Sequence, residues 1–328
     1  MKTLIDRIGP SRVVLSPMAG FSDSPYRKLC RRMGSAYSIT EFVSTEQLFR
    51  SNPKAIQLFR YEEIERPIVF QIFGNDPDII LKGVERVLHL NPDGIDLNMG
   101  CSVRTVSGSG SGAGLLKHPQ KVREIIRRLV LETKLAISAK IRLGWDSASF
   151  NYKEITNILE SEGVWSIAVH GRTRQMAYTG AADWDKIGEI AHARRVPIFG
   201  NGDVDSYPQA MEKIKTYGVF GVFVGRGAVG NPWLFAGRKR TPLSYAERLP
   251  VILEHTQSMI NFYGDSAAAV LMRKHLTQYL RDTPEWNEIK RVAHHTTSAQ
   301  ELMEKLTSSS AETFSCVRQA TKSLDISA

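Results

Sequence analysis

The sequence predicts an α/β protein: a (β/α)8 TIM barrel followed by a small all-α helical bundle. Short apolar, β-branched runs alternate with helical patterns, eight times within about 240 residues. The runs are almost continuously apolar, as strands of a parallel sheet covered on both faces are. The chemically distinctive residues Met18, Gln71, Cys101, His170, Asn201 and Arg226 fall at or near the C-terminal ends of different runs. A closed barrel gathers its site from many strand ends in this way, whereas an open sheet concentrates its ligand contacts at one switch point.

The first run is Val13 to Met18, followed by a helix from about Ser22 to Met33. Ser38 to Val43 comes next, then Ile68 to Phe73, whose helix has Asp76 as its cap and Pro77 at its first position. Gly94 to Asn98 is separated by a long Gly/Ser segment from a helix over Pro119 to Leu131. The remaining runs are Ala136 to Arg142, Ser166 to His170, Pro197 to Asn201 and Gly221 to Gly225. Helices over Tyr152 to Ser161, Trp184 to Ala193 and Tyr207 to Tyr217 lie between them. After Pro242 only helical patterns remain. Ser244 to Glu247 is a capping box opening a helix to about Tyr263, Asp265 can cap a second reaching Arg281, and Pro284 starts a third. A second capping box at Ser298 to Glu301 opens a fourth, with a serine-rich break at Ser308 to Ser310. The boundary between a barrel domain, 1–240, and a helical domain, 241–328, follows from this change of pattern.

Composition narrows the class. The chain is 42% hydrophobic and 23% charged, enough to build a core and too apolar for wholesale disorder. No stretch approaches the ~18 to 20 apolar residues of a spanning helix. Met1 to Pro10 carries charges and lacks the apolar centre of a signal peptide. Cys30, Cys101 and Cys316 are too few and scattered for a disulfide framework or zinc ribbon. A cytoplasmic, reducing compartment is expected, with no metal site and no membrane partner. The formal charge of +9 suits a polyanionic partner.

Gly200-Asn201-Gly202-Asp203 and Gly225-Arg226-Gly227 end the seventh and eighth runs, where barrels commonly bind phosphate. Glycines let backbone N–H groups approach an oxyanion, and Arg226 adds charge. Either segment alone would read as a tight turn; together, on adjacent strands, they favour a phosphate-bearing ligand. Gly108 to Gly114 does not fit the G-x-G-x-x-G fingerprint and reads as a mobile loop after Cys101, with a plain connector as the competing reading. Cys101 is set apart from Cys30, a core residue at helical spacing from Tyr26 and Met33, by its place at the barrel mouth. Lys140 lies within a strand, where a cation is costly unless an anion, cofactor or substrate pairs with it. His170, beside Gly171-Arg172-Thr173, reads better as a ligand contact than as a structural histidine, and Glu41 and Asp96 are left without a role.

Several segments carry a resemblance. Ser16-Pro17-Met18-Ala19-Gly20, Asp96-Leu97-Asn98-Met99-Gly100-Cys101, Gly112-Ala113-Gly114-Leu115-Leu116 and Lys140-Ile141-Arg142-Leu143-Gly144-Trp145 resemble tRNA-dihydrouridine synthases, as do Val169 to Thr173, Gly200 to Asp203, Gly225 to Gly227 and Arg273-Lys274-His275. The match runs in order from about Val13 to Arg281. One departure is Ser102, where the family usually has proline after the cysteine, and the loop after it is Ser/Gly-rich where many members carry lysines.

The resemblance implies reduction of the uracil C5–C6 double bond in tRNA, with FMN as cofactor and NADPH as electron source. It places FMN against Pro17, Met18, Ala19, Gln71, Lys140, His170, Asn201, Gly202, Asp203, Gly225 and Arg226. Lys140 then stabilises negative charge at the flavin N1/C2 edge. Hydride passes from flavin N5 to uracil C6, and Cys101 protonates C5 as general acid, its thiol being mostly protonated at neutral pH. Asn98, Arg142, Arg172, Arg174, Arg273, Lys274, His275 and Arg281 are the implied RNA contacts. Arg104 joins Arg172 and Arg174 in a positive path at the mouth, and Lys274, Gln278 and Arg281 share one helix face while Met272, Leu276, Tyr279 and Leu280 turn to the core. A monomer is expected. Two rivals stand: a flavin barrel reducing a free pyrimidine or enone, which leaves the basic helical appendage unexplained, and an RNA-binding module with a vestigial flavin site, against which Cys101 and Lys140 argue.

Overall fold

The computed structural model describes residues 4–239 and 243–308. They divide into two compact units, 4–228 with 233–238, and 229–232 with 239 and 243–308.

The first unit is the barrel. Its nine strands are β1 (Val13–Leu15), β2 (Ser38–Ile39), β3 (Val43–Ser44), β4 (Ile68–Phe73), β5 (Gly94–Met99), β6 (Ala136–Arg142), β7 (Ser166–His170), β8 (Ile198–Asn201) and β9 (Gly221–Val224). All pair in parallel, in the order β1-β9-β8-β7-β6-β5-β4-β2, with β3 also on β4. Ala36 N donates to Val13 O at 2.9 Å and draws the ends of this order together.

β2 and β3 are the single predicted run Ser38 to Val43, interrupted. At the interruption the Thr40 hydroxyl replaces a backbone acceptor: Gln71 N donates to Thr40 Oγ1 at 2.9 Å. The chain then re-enters the ladder at Val43. Two short helices that apolar periodicity did not reveal, α2 (Thr45–Phe49) and α3 (Pro53–Gln57), follow this stave; α1 (Ser24–Arg32) precedes it.

The other barrel helices are α4 (Pro77–Glu85), α5 (Arg104–Ser107), α6 (Pro119–Thr133), α7 (Tyr152–Ser161), α8 (Trp184–Ala193) and α9 (Tyr207–Tyr217). Their starts are chemically marked. Asp23, Asp76 and Asp183 accept from Tyr26 N, Ile79 N and Lys186 N at 3.0–3.1 Å, satisfying N–H groups that a helix leaves unpaired. In α6, Val122, Ile125, Ile126 and Leu129 are buried at helical spacing, while Arg127 and Leu131 face solvent.

Strand positions two apart share a face, and this divides the barrel interior into layers. The lower layer is apolar: Val14, Tyr37, Val69, Ala168, Phe199 and Phe223 form one buried cluster, with Phe199 and Phe223 stacked at 5.4 Å. One step along the same strands the residues become polar: Gln71 follows Val69, His170 follows Ala168, and Asn201 follows Phe199. The site is built on this change.

The second unit contains α10 (Tyr245–Tyr263), α11 (Asp265–Leu280), α12 (Trp286–His295) and helical residues 299–308. Ser244 and Glu247 form the expected capping box. Asp265 does not cap the helix it begins. Its Oδ1 accepts from Gln300 N at 2.9 Å and so serves the start of the last helical segment. Ser309, Ser310 and Cys316 lie outside the described residues.

Candidate active site

Parallel register aligns Gln71 with Asp96 and Asp96 with Ser138 across β4, β5 and β6. Ser138 Oγ donates to Asp96 Oδ1 at 2.6 Å, and Gln71 Nε2 donates to Asp96 Oδ2 at 2.8 Å. Burial pushes the Asp96 carboxyl up, against the hydrogen bonds from Ser138 and Gln71 and the charge of Lys140. One step further along, Asn98 is in register with Lys140. Asn98 Nδ2 donates to Gln71 Oε1 at 2.9 Å, joining the two steps. Lys140 Nζ reaches past β7 to Asn201 Oδ1 at 2.9 Å, and Asn201 Nδ2 donates to Phe223 O at 2.8 Å. The Lys140 ammonium is pushed down to about 8, first by burial and then by Arg142.

Cys101 sits just past β5, half-buried. Asn98 Oδ1 accepts from Gly100 N at 3.1 Å and from Cys101 N at 2.9 Å. On the other side, Arg142 Nε donates to Gly100 O at 2.8 Å and Ala113 N donates to Cys101 O at 3.2 Å. Burial raises the thiol pKa, opposed by a hydrogen bond from the Val103 backbone and by Arg142 and Lys140, so the thiol keeps its proton at neutral pH. The segment read as a mobile loop is in large part core. Ser111 to Leu116 is buried, and a side chain at Gly112, where φ is +54°, would meet Cys101 Cβ at 3.1 Å. Burial of Ala113, Leu115 and Leu116 fixes it, a packing role that the Gly/Ser composition concealed.

The ends of β8 and β9 adjoin this floor. A Cβ at Gly202, φ +130°, would lie 2.5 Å from Ala182 Cβ and 3.2 Å from His170 Cδ2, so glycine is required beside the imidazole. Gly225 differs: a Cβ there would meet Met18 Sδ at 3.5 Å and Ser16 Cβ at 3.7 Å, ordinary van der Waals contact, so no crowding by the polypeptide demands a glycine there. Arg172 NH1 donates to His170 Nε2 at 3.2 Å, which leaves the His170 proton on Nδ1. Burial and then the charges of Lys140, Arg142, Arg172 and Arg226 hold His170 well below its usual range, hence neutral. Asp203 receives Arg172 at 2.6 Å and Arg226 at 3.4 Å. Burial raises its carboxyl, but the hydrogen bonds and charge around it leave it below the usual range. As a carboxylate it orients arginines and does not itself hold a phosphate. Pro17, Met18 and Ala19 lie in the β1–α1 loop, tied down by a Ser22 hydrogen bond to Met18 N and by Glu41 on Gly20 N.

These residues fit an anionic, phosphate-bearing cofactor. Lys140 is buried with one hydrogen-bonded side chain on its ammonium, Asn201, and Arg226 is 62% exposed along its side chain. Lys140 and Asn201 would hold such a group together, since the asparagine amide is spent on the lysine and on Phe223 O.

Several expected RNA contacts fall elsewhere. Arg172 is only 2% exposed and committed to Asp203, His170 and the carbonyls of Thr179 and Gly180. Arg142 is equally buried and holds the carbonyls of Gly100, Thr173 and Ala177. In the helical unit His275 is wholly buried, its ring 4.7 Å from that of His255. Arg273 donates to Ala293 O and Thr296 O and so closes the end of α12. Direct contact with RNA phosphates is therefore withdrawn for Arg142, Arg172, Arg273 and His275. Asn98 is also buried, within the hydrogen-bonded floor. Arg174 lies 4.6 Å above the Trp145 ring, with Lys117 at 3.4 Å, and its Nε donates to Ser107 Oγ at 3.1 Å. Arg104 and Arg281 are exposed and Lys274 is half-buried; Met272, Leu276, Tyr279 and Leu280 are buried as expected. Sequence reasoning missed Tyr178, which is 59% exposed and lies under the guanidiniums of Arg226 at 4.9 Å and Arg142 at 5.7 Å. It also missed Ser138, although Ser138 and Lys140 stand two apart in one strand, a spacing that could have found it.

The model of the family described as dihydrouridine synthase (Dus) matches residues 14–315. The tRNA-dihydrouridine synthase B of Pseudomonas aeruginosa is 35% identical over 297 residues, covering 87% of this chain and 89% of that protein. A probable tRNA-dihydrouridine synthase of Rickettsia conorii is 32% identical over 291 residues, 85% of this chain and 87% of that one. In fold alone, the structure of histamine dehydrogenase from Rhizobium sp. 4-9 is similar, with a TM-score of 0.51 at 14% identity over 77% of this chain and 50% of that chain. A match of this extent means that the chain belongs to the dihydrouridine synthase family.

Proposed function

We propose that the chain reduces the C5–C6 double bond of uridine in tRNA, with FMN as its cofactor and NADPH as the source of electrons. Dihydrouridine is uridine with two hydrogens added across that bond, so the family chemistry is oxidoreduction. The tRNA specificity is carried by the names of the relatives. The observation that carries the chemistry is Cys101: a thiol kept protonated by burial, at the C-terminal mouth of a barrel, beside the Lys140–Asn201 pair.

FMN would be held by Pro17, Met18, Ala19, Gln71, Lys140, His170, Asn201, Gly202, Gly225 and Arg226, with Asp203 acting through Arg172 and Arg226. When bound, FMN supplies the hydride that C6 receives. Lys140, fixed by Asn201, supplies positive charge in a buried setting where it acts strongly on any anion. His170, neutral with its proton on Nδ1, offers a donor without adding charge. Charge developing toward C5 and O4 of the uracil is quenched by a proton from the Cys101 thiol to C5, and the thiolate recovers its proton from solvent. Asn98 orients this segment through the amides of Gly100 and Cys101. The barrel, 1–240, is the catalytic domain in this reading. The helical domain, 241–328, contributes tRNA affinity through Lys274 and Arg281, with Arg104 and Arg174 at the mouth. The protein acts as a cytoplasmic monomer.

The test separates the half-reactions. Purified protein, NADPH and unmodified tRNA should yield dihydrouridine. Cys101→Ala should keep bound flavin, NADPH oxidation and tRNA binding, while single-turnover product formation falls by roughly 10²–10⁴-fold, the usual contribution of a general acid. Wild-type protein that forms no dihydrouridine in tRNA, or that turns over a free pyrimidine instead, overturns the assignment.

A further inference from the structure

Asp96 touches no part of the site that a substrate could reach, yet the polar floor is organised from it. Its two oxygens accept from Ser138 Oγ at 2.6 Å and Gln71 Nε2 at 2.8 Å. An ionised carboxylate accepts only, so the Gln71 amide must present its NH2 group to Asp96 and its oxygen to Asn98. Asn98 must then give its NH2 to Gln71 Oε1, at 2.9 Å. That leaves Asn98 Oδ1 facing Gly100 N and Cys101 N, at 3.1 and 2.9 Å. A primary amide is nearly symmetric in shape, so nothing but partners decides which way it points. Reversing the chain would set Asn98 Nδ2 against two backbone N–H groups, donor against donor. A proton on the carboxyl leaves this order intact when it sits on Oδ1, toward Ser138.

We propose that Asp96 is a positioning residue: together with the Gly100 and Cys101 N–H groups at the other end, it sets the donor–acceptor polarity of the Gln71–Asn98 amide chain and so helps hold the Cys101 segment in place. The side chains of Asp96, Ser138, Gln71 and Asn98 are all buried, Asp96 at 1% and Gln71 at 0% exposure, so water does not compete for the same bonds. The inference rests on the reading of Cys101 as proton donor only for its bearing on the reaction; the hydrogen-bond logic is independent of it.

The polarity can be swapped. Asn98→Asp puts acceptors at both ends of Gln71, whose single NH2 group cannot face both, and the segment loosens. Adding Asp96→Asn restores a consistent order running the other way: Asn at 96 donates to Gln71 Oε1, Gln71 donates to Asp at 98, and that carboxylate still accepts from Gly100 N and Cys101 N. The readout is the rate of Cys101 alkylation by iodoacetamide on purified protein at matched flavin content, with amide hydrogen exchange over 98–103 alongside. Asn98→Asp should speed alkylation roughly five- to tenfold, the equivalent of losing one buried hydrogen bond. Asp96→Asn alone should change it less than about threefold, because an asparagine there permits both orders. The double variant should return to within about twofold of wild type. In a Gln71→Met background the rescue should vanish, whereas simple relief of repulsion between two carboxylates would persist there. If Asn98→Asp does not fold, rescue is read as recovery of folded protein in the double variant. Failure of the double variant to recover, or rescue that survives Gln71→Met, overturns the proposal. Intact rescue with no dihydrouridine formed by wild type would overturn the functional reading and leave this one standing.

Discussion

The buried Lys140 ammonium sets a pH-dependent penalty on the fold that can be measured without substrate. In the cofactor-free protein burial, aided by repulsion from Arg142, holds it at about 8 against 10.5 in the unfolded chain. Between these values the unfolded state binds more protons than the folded one, so stability rises with pH. The charge costs about 3 kcal/mol at pH 7 and about 2 kcal/mol at pH 9. Lys140→Met removes this penalty and also strands Asn201 Oδ1, a loss of ~1–3 kcal/mol that does not vary with pH. The sign of the variant's stability change at one pH is therefore set by two opposed terms, but its slope is not. Relative to wild type, Lys140→Met should lose about 1 kcal/mol between pH 7 and pH 9. Urea unfolding of both proteins at both pH values, followed by tryptophan emission, gives that difference. A stability gap that does not change with pH would mean that the ammonium is well solvated, and would remove the argument that it awaits an anion.

Two further outcomes follow from the helical unit. Lys274→Ala with Arg281→Ala should weaken tRNA binding and lower the slope of log affinity against log salt by about one to two, with flavin content unchanged; unaltered affinity across a salt series would show that RNA docks elsewhere. His255, buried against His275, is pushed down to about 3 by burial and by Lys274. The unfolded state therefore gains protons first as pH falls through 6.5, and acidification from pH 7 to 5 should cost about 2 kcal/mol through His255 alone. His275, which burial and its neighbours His255 and Lys274 also hold well below the usual range, adds to it. His255→Gln should flatten that dependence in thermal melts, and an unchanged acid slope would show that the imidazole is not what titrates.

Much of the barrel was legible because its strands obey one rule: apolar runs of four to seven residues, each ending in a residue with chemistry. The positions of Cys101, His170 and Asn201 followed from that rule, and Lys140 stood out as a cation inside such a run. The interruption of the second stave was not legible, since it depends on the Thr40 hydroxyl meeting a backbone N–H from a strand about thirty residues away. Arginine misled for a related reason. Arg142 and Arg172 have the composition of RNA ligands, but whether a guanidinium faces water or carbonyls is decided by loop paths that no local pattern encodes. The glycine-rich segment after Cys101 carried a signal for flexibility, and the burial of Ala113, Leu115 and Leu116 overrode it. Asp96 was visible as a residue and not as a role, because its partners Gln71 and Ser138 lie on different strands.

The layered interior has an evolutionary corollary. Phe199 and Asn201 are neighbours on one face of one strand, yet they answer to different kinds of selection. An aromatic plug tolerates exchange among side chains of similar volume, so lineages can drift there while the barrel persists. Hydrogen-bonded residues above it have no such neutral substitutes, since each exchange strands a partner. The same scaffold can thus accumulate change below and keep its chemistry above, with the frontier running between Val69 and Gln71, Ala168 and His170, and Phe199 and Asn201.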